Sequence, residues 1–229
     1  MLLLAGCADA DLGARVASAE AELALVKAER DGLAEQLDAC RMDSTESYPH
    51  ALRLLEQATG QVNAWEPEAA RDTIAEMDRL YPCSAPTRDS RSLEKRLNAI
   101  GKAPDALTVE FWFADAGVMG DTNVLLFFEE WCPFCRTELP LLQARSEAMP
   151  DVQFLGFTQI TRTSTEAAVR GLLETHEVDF PVAKESGELF EYYGGEGFPM
   201  IVVLVDDAVV WVGHPADMDW ARIATSPPE

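Results

Sequence analysis

Positive charge is scarce in this sequence: 18 Lys and Arg stand against 40 Asp and Glu, a formal charge of −22. Such a chain repels phosphate backbones and anionic headgroups, so nucleic acid is not an expected partner. The excess is uneven, with 22 acids and 6 bases in residues 105–229 against 18 and 12 in residues 1–104. A solvated acidic surface is the simplest reading of it. The sequence also has no apolar run near the ~18–20 residues of a membrane span, so no segment is expected to cross a bilayer. The three histidines, His50, His176 and His214, are isolated, and Cys7, Cys40 and Cys83 are scattered. Neither a metal site nor a bound cofactor is expected from that spacing. What is present is ordinary for a globular chain: 48% hydrophobic residues over 229 positions, enough for one domain and a smaller accessory region.

The exception is a pair of cysteines two residues apart, Glu129-Glu130-Trp131-Cys132-Pro133-Phe134-Cys135-Arg136. By themselves they fit half a metal site, a structural disulfide or a redox pair. Around them the period is that of short strands, at residues 107–113, 123–128, 152–157 and 180–183, with a helix over 164–176. A hairpin follows at 201–205 and 209–212 through Asp206-Asp207. Strands alternating with helices predict an α/β sheet covered on both faces. The run Val124-Leu125-Leu126-Phe127-Phe128 reads as its central strand and delivers the chain to the cysteines. Cys132 therefore stands ahead of a helix, where unpaired N–H groups and the helix dipole favour thiolate over thiol. It is the expected nucleophile, and Cys135, one turn inside, is the expected resolving thiol. Pro133 suits a first helical turn, which needs no N–H there.

The order Trp131-Cys132-Pro133-x-Cys135-Arg136-x-Glu138-x-Pro140 resembles the thioredoxin superfamily, and within it the exported TlpA/ResA-type thiol-disulfide oxidoreductases. The likeness spans about residues 107–218 and includes Gly197-Phe198-Pro199, 64 residues after Cys135, where the superfamily keeps a cis-proline loop facing the cysteines. The resemblance implies a thioredoxin-like fold, a central mixed sheet with flanking helices, that needs no cofactor beyond the cysteine pair. It implies protein disulfides or dithiols as substrates and a membrane or periplasmic thiol as electron donor. It also implies a substrate groove formed by Trp131, Pro133, Phe134, Phe198 and Pro199. His214 falls beside that loop, either as a groove residue able to pair with the Cys132 thiolate or as a surface histidine between Gly213 and Pro215. Two departures bear on the direction of transfer. Leu126 stands where thioredoxin keeps a buried acid, which leaves Glu129 and Glu130 as candidate proton acceptors. Phe134 stands where strongly oxidising relatives carry His, which favours a disulfide reductase. The rival readings are a non-catalytic thioredoxin-fold binding module tethered to the envelope and a peroxide reductase on a related fold.

The first 104 residues read differently. Leu4-Ala5-Gly6-Cys7 resembles the lipobox of bacterial lipoproteins, which implies lipidation of Cys7 on the periplasmic side of the cell envelope, with 1–7 as a signal remnant. Leu12, Val16, Ala19, Leu23, Val26, Arg30, Leu33, Leu37 and Cys40 follow alternating four- and three-residue steps, the pattern of a coiled coil over 8–45 and of a homo-oligomer. A polar break is expected at residues 43–47, then a small helical region over 46–103 closed by Gly101, and the thioredoxin-like domain over 104–229. In an oxidising compartment Cys40 and Cys83 are candidates for an intrachain disulfide, or Cys40 bridges two parallel coil partners; in a reducing one both are small apolar fillers.

Overall fold

The computed structural model describes the backbone of residues 6–104 and 109–225, and the side chains of 13–35, 47–104 and 109–223. Helix α1 runs from Gly6 to Asn63, α2 from Pro67 to Leu80 and α3 from Ala85 to Ala99. The polar stretch at 43–47, expected to break the chain, lies inside α1. The physical reason is that Asp, Ser, Thr and Glu cost at most about 0.7 kcal/mol each relative to Ala in a helix, and no Gly is present. Even Pro49, which has no N–H for the Thr45 carbonyl, is accommodated. The boundary expected near residue 45 is thus a change in packing and not a helix end. Residues 13–35 are exposed throughout, whereas Ala58 and Val62 of α1 bury against Ala70 and Ile74 of α2 and Leu93 and Leu97 of α3.

Proline and serine set the helix starts. Pro67 and Pro86 occupy first-turn positions, and Ser84 caps α3 by accepting the Thr87 N–H at 3.2 Å. Gly101, with φ of 82°, takes the left-handed conformation that lets the chain leave α3. Its N–H then donates to the Val209 carbonyl (2.7 Å), and Val209 returns an N–H to Lys102 (2.9 Å).

Six strands form one sheet in the order β1-β4-β3-β2-β5-β6: β1 Phe111–Trp112, β2 Thr122–Phe127, β3 Gln153–Thr158, β4 Val182–Lys184, β5 Met200–Val205 and β6 Ala208–Gly213. Strands β2, β3 and β4 are parallel, β5 pairs antiparallel with β2, and β6 pairs antiparallel with β5. Between β5 and β6, Asp206 and Asp207 both have positive φ (48° and 61°), as a type I′ hairpin turn requires. Alternation along β2 divides the core. Val124, Leu126 and Phe128 face helices α4 (Pro133–Ala148) and α5 (Glu166–Thr175), and Leu125 and Phe127 face α6 (Glu188–Tyr192) and the end of α3. The fold is a thioredoxin-like mixed sheet with flanking helices, preceded by a helical region. That region covers β6, an edge strand whose unpaired backbone would otherwise be open to other chains. A short helix α7, Trp220–Thr225, ends the described chain. No helix among the described residues is long and apolar enough to cross a membrane.

Candidate active site

Central strand β2 ends at Phe127, and five residues later Cys132 becomes the N-cap of α4 with extended backbone angles (φ −79°, ψ 116°). Its Sγ accepts the Cys135 N–H at 3.4 Å, which satisfies one of the unpaired donors at the helix start. The same thiol donates to the Phe198 carbonyl at 3.4 Å. Cys132 is 4% exposed and Cys135 fully buried, and both are free thiols. Burial raises the Cys135 thiol far above its ordinary value. The Cys132 side chain adds to the shift, and a backbone hydrogen bond with Glu129 pulls the other way. At neutral pH Cys135 is a thiol.

The Phe198–Pro199 peptide bond is cis, and the loop it shapes brings Phe198 against Trp131, edge to face at 6.3 Å, and against Phe190, stacked at 4.6 Å. Pro133 occupies the first turn of α4, and Phe134 stands 67% exposed beside the cysteines. His214 lines one cavity with Phe198 and Pro199, and its Nδ1 accepts the Ala216 N–H at 3.1 Å. Leu126 packs in the same cluster as both cysteines, so no acid lies on that face of the strand.

The two glutamates offered as proton acceptors also hold the surrounding loop. Glu129 is wholly buried, and its carboxylate accepts the N–H groups of Gln159 (2.8 Å) and Thr161 (3.1 Å). Glu130 pairs with Arg136 and accepts the Ser164 hydroxyl at 3.3 Å. Both side chains therefore fasten the loop after β3 to the cysteine motif, a structural role the sequence reading did not assign. That loop carries two non-glycine residues with left-handed backbones, Ile160 (φ 58°) and Arg162 (φ 61°), which fixed hydrogen bonds hold in place. Thr161 accepts the Trp131 indole N–H at 3.1 Å, and the Arg162 guanidinium lies 3.6 Å from the Trp131 ring centre. Thr161 and Arg162 were missed as site residues. Their signal was positional, because they follow β3 at the carboxyl end of a parallel strand, where open α/β sheets place their sites.

Cys83 is disulfide-bonded. Cys40, one candidate partner for it, and Cys7, the expected lipidation point, have side chains outside those described. Among the described residues no group of three His, Cys, Asp or Glu is placed to hold a metal ion.

No protein-family model matches the chain. It is 29% identical over 77 residues to the sporulation thiol-disulfide oxidoreductase A of Bacillus subtilis, covering 32% of this chain and 47% of that protein. It is 28% identical over 105 residues to the soluble secreted antigen MPT53 of Mycobacterium tuberculosis, covering 45% of this chain and 59% of that protein. The chain thus spans about half the length of the curated relatives it matches. Among solved structures, a secreted Mycobacterium tuberculosis disulfide oxidoreductase shares 28% identity at a TM-score of 0.35, over 38% of this chain and 64% of that one. The part of this chain that holds the mixed sheet and the cysteine pair is thus similar to curated proteins that include a thiol-disulfide oxidoreductase, consistent with the TlpA/ResA-like resemblance.

Proposed function

We propose that this protein is a thiol-disulfide oxidoreductase that reduces protein disulfides through Cys132 and Cys135. The observation that carries the reading is the placement of Cys132. It caps α4, its sulfur lies on the Cys135 N–H and the Phe198 carbonyl, and a second free thiol sits one turn behind it. The Cys132 thiolate attacks one sulfur of a substrate disulfide, forms a mixed disulfide and expels the other substrate sulfur as a thiolate, which takes a proton from solvent. Cys135 then loses its proton and attacks Cys132. The Cys132–Cys135 disulfide forms, the second substrate thiol leaves, and two electrons have passed from the protein to the substrate. An external thiol donor returns the pair to the dithiol.

The raised Cys135 thiol supports a late second step, since deprotonation has to follow formation of the mixed disulfide. The phenyl ring of Phe134, in place of a cation between the cysteines, supports reduction over oxidation. The Cys83 disulfide supports an oxidising compartment, and with the secreted relative it favours the periplasmic side of the envelope. Cys40 as the Cys83 partner, lipidation at Cys7 and self-association through the apolar stripe of α1 complete the reading: a tethered, oligomeric reductase. The test is the reduction potential of the full chain, equilibrated against glutathione, together with insulin-disulfide reduction. A potential nearer the about −270 mV of thioredoxin than the about −120 mV of strong oxidants agrees with a reductase. A value near the oxidising end reverses the direction, and failure to cycle with any dithiol leaves a binding module.

A further inference from the structure

A cavity of about 240 Å³ opens between α3 and the cis-proline loop, walled by Ser92 and Arg96 on one side and by Glu196, Phe198, Pro199 and His214 on the other. It is several times the ~30 Å³ share of one water, which is room for one side chain. It shares Phe198 with the cysteine site, since that residue lines the cavity and its carbonyl accepts the Cys132 thiol at 3.4 Å.

The wall from α3 is fixed in place. Arg96 Nε donates to the Val212 carbonyl at 2.8 Å, its guanidinium lies 5.8 Å from the Trp211 ring centre, and Lys95 is ion-paired with Glu196. Gly194 allows this approach. It has φ of 76°, and a Cβ there would stand 2.7 Å from the Lys95 carbonyl oxygen.

Charge decides what the cavity can take. Glu196 is occupied by Lys95 and Ser92, which hold its carboxyl below the ordinary range. Arg96 uses Nε on Val212 and Nη2 on Asn63 (3.4 Å), and Nη1 has no hydrogen bond among the described residues. Burial lowers the Arg96 guanidinium from its ordinary value, and the charge of Asp217 acts the other way. Arg96 thus lines the cavity together with Phe198, Pro199, Met200 and the ion-paired Glu196, in a domain that is otherwise acidic.

We propose that this cavity is a specificity pocket for the protein substrate, and that it takes an acidic side chain close to the cysteine under attack. The aliphatic stem of that side chain packs on Phe198, Pro199 and Met200 and its carboxylate meets Arg96. Successive residues of an extended segment face opposite sides, so the candidate lies two positions from the cysteine, roughly 6.6 Å away. The inference rests on the disulfide-exchange reading above.

The test uses the full chain and two matched peptide disulfides, one with Glu-x-Cys-x-Glu and one with Lys-x-Cys-x-Lys, together with hydroxyethyl disulfide as a small neutral probe. For the wild type, kcat/KM is expected to favour the Glu peptide by roughly three- to fivefold at low salt, and the ratio should shrink as salt rises. Arg96→Gln should bring the ratio to about one. Arg96 also helps to seat α3, so Ser92→Phe, at an exposed position on the cavity wall, is the second variant; by filling the cavity it should raise KM for both peptides and erase the ratio. Equal wild-type kcat/KM for the two peptides, with hydroxyethyl disulfide reduced, overturns the pocket and leaves the reductase standing. A ratio that survives both variants does the same. If the wild type reduces none of the three compounds, the exchange reading fails and takes the pocket with it.

Discussion

In the first half of α1, residues 13–35, every side chain is exposed, including Leu25 at 72%, Val26 at 61% and Leu33 at 59%. In β2, from Val124 to Phe127, no side chain exceeds 2%. Apolar residues of the same kinds are laid out at two different periods, and the period determines what can bury them. On β2 they are continuous and alternate between two faces, each of which meets helices within the same chain. On α1 they form a narrow stripe at coiled-coil spacing, and among the described residues nothing covers it. A second copy of the stripe is the partner that such spacing fits.

That comparison can be broken at either end. The largest effect is expected on the stripe: Leu23→Ser with Leu33→Ser removes two seam residues worth about 1.5–3 kcal/mol each if buried between copies. Sedimentation should show a lower protomer number with unchanged cysteine chemistry, and an unchanged number would refute the coil. Next comes the core. Phe127 stacks on Phe157 at 5.3 Å and touches Phe190 and Tyr193, so Phe127→Ala should cost about 3–5 kcal/mol in denaturant unfolding. Leu25→Ala, on the exposed helix, should change stability by less than about 0.5 kcal/mol.

Buried polar groups sharpen the contrast further. Glu129→Ala strands the N–H groups of Gln159 and Thr161, at about 1–3 kcal/mol, and should release Trp131 from the loop, seen as a change in tryptophan emission. A smaller effect than that of Glu129→Ala is expected at Glu185, buried at the end of β4 with a carboxylate oxygen on the Gly187 N–H. Burial raises its carboxyl above the ordinary 4.5, because the desolvated site favours the neutral form. Near pH 4 the wild type keeps that proton and Glu185→Gln should have equal stability. As pH climbs through the raised value the wild type has to bury a charge, so the variant should become more stable by about 1 kcal/mol at neutral pH. A difference that is constant with pH would assign Glu185 no titration in this range.

The sequence was legible wherever one local period decided the outcome. Strands β2, β5 and β6, the helix after Cys132 and the Asp206-Asp207 turn all declare themselves within a few residues. The continuity of α1 was hidden because a polar run looks like a loop, although nothing in it stops a solvated helix. Helix α6 was missed because five residues are too few to display a helical period. At the site, the Cys132 and Cys135 pair could be read from its spacing, and the Phe198-Pro199 loop only through the resemblance to the thioredoxin superfamily. The role of Glu129 could not, since its partners lie 30 and 32 residues away and meet it only through the β2–β3 register. Arg96 reaches Val212 across 116 residues, a contact that no local pattern announces.

The central claim is that Cys132 attacks and Cys135 resolves, and trapping tests it most directly. The Cys135→Ser variant, reduced and then offered a peptide disulfide, should accumulate a mixed disulfide mapped by mass spectrometry to Cys132, released by dithiothreitol and absent in Cys132→Ser. If the adduct forms instead through Cys135 in the Cys132→Ser variant, or if neither variant traps the peptide while the wild type turns it over, the assigned roles are contradicted.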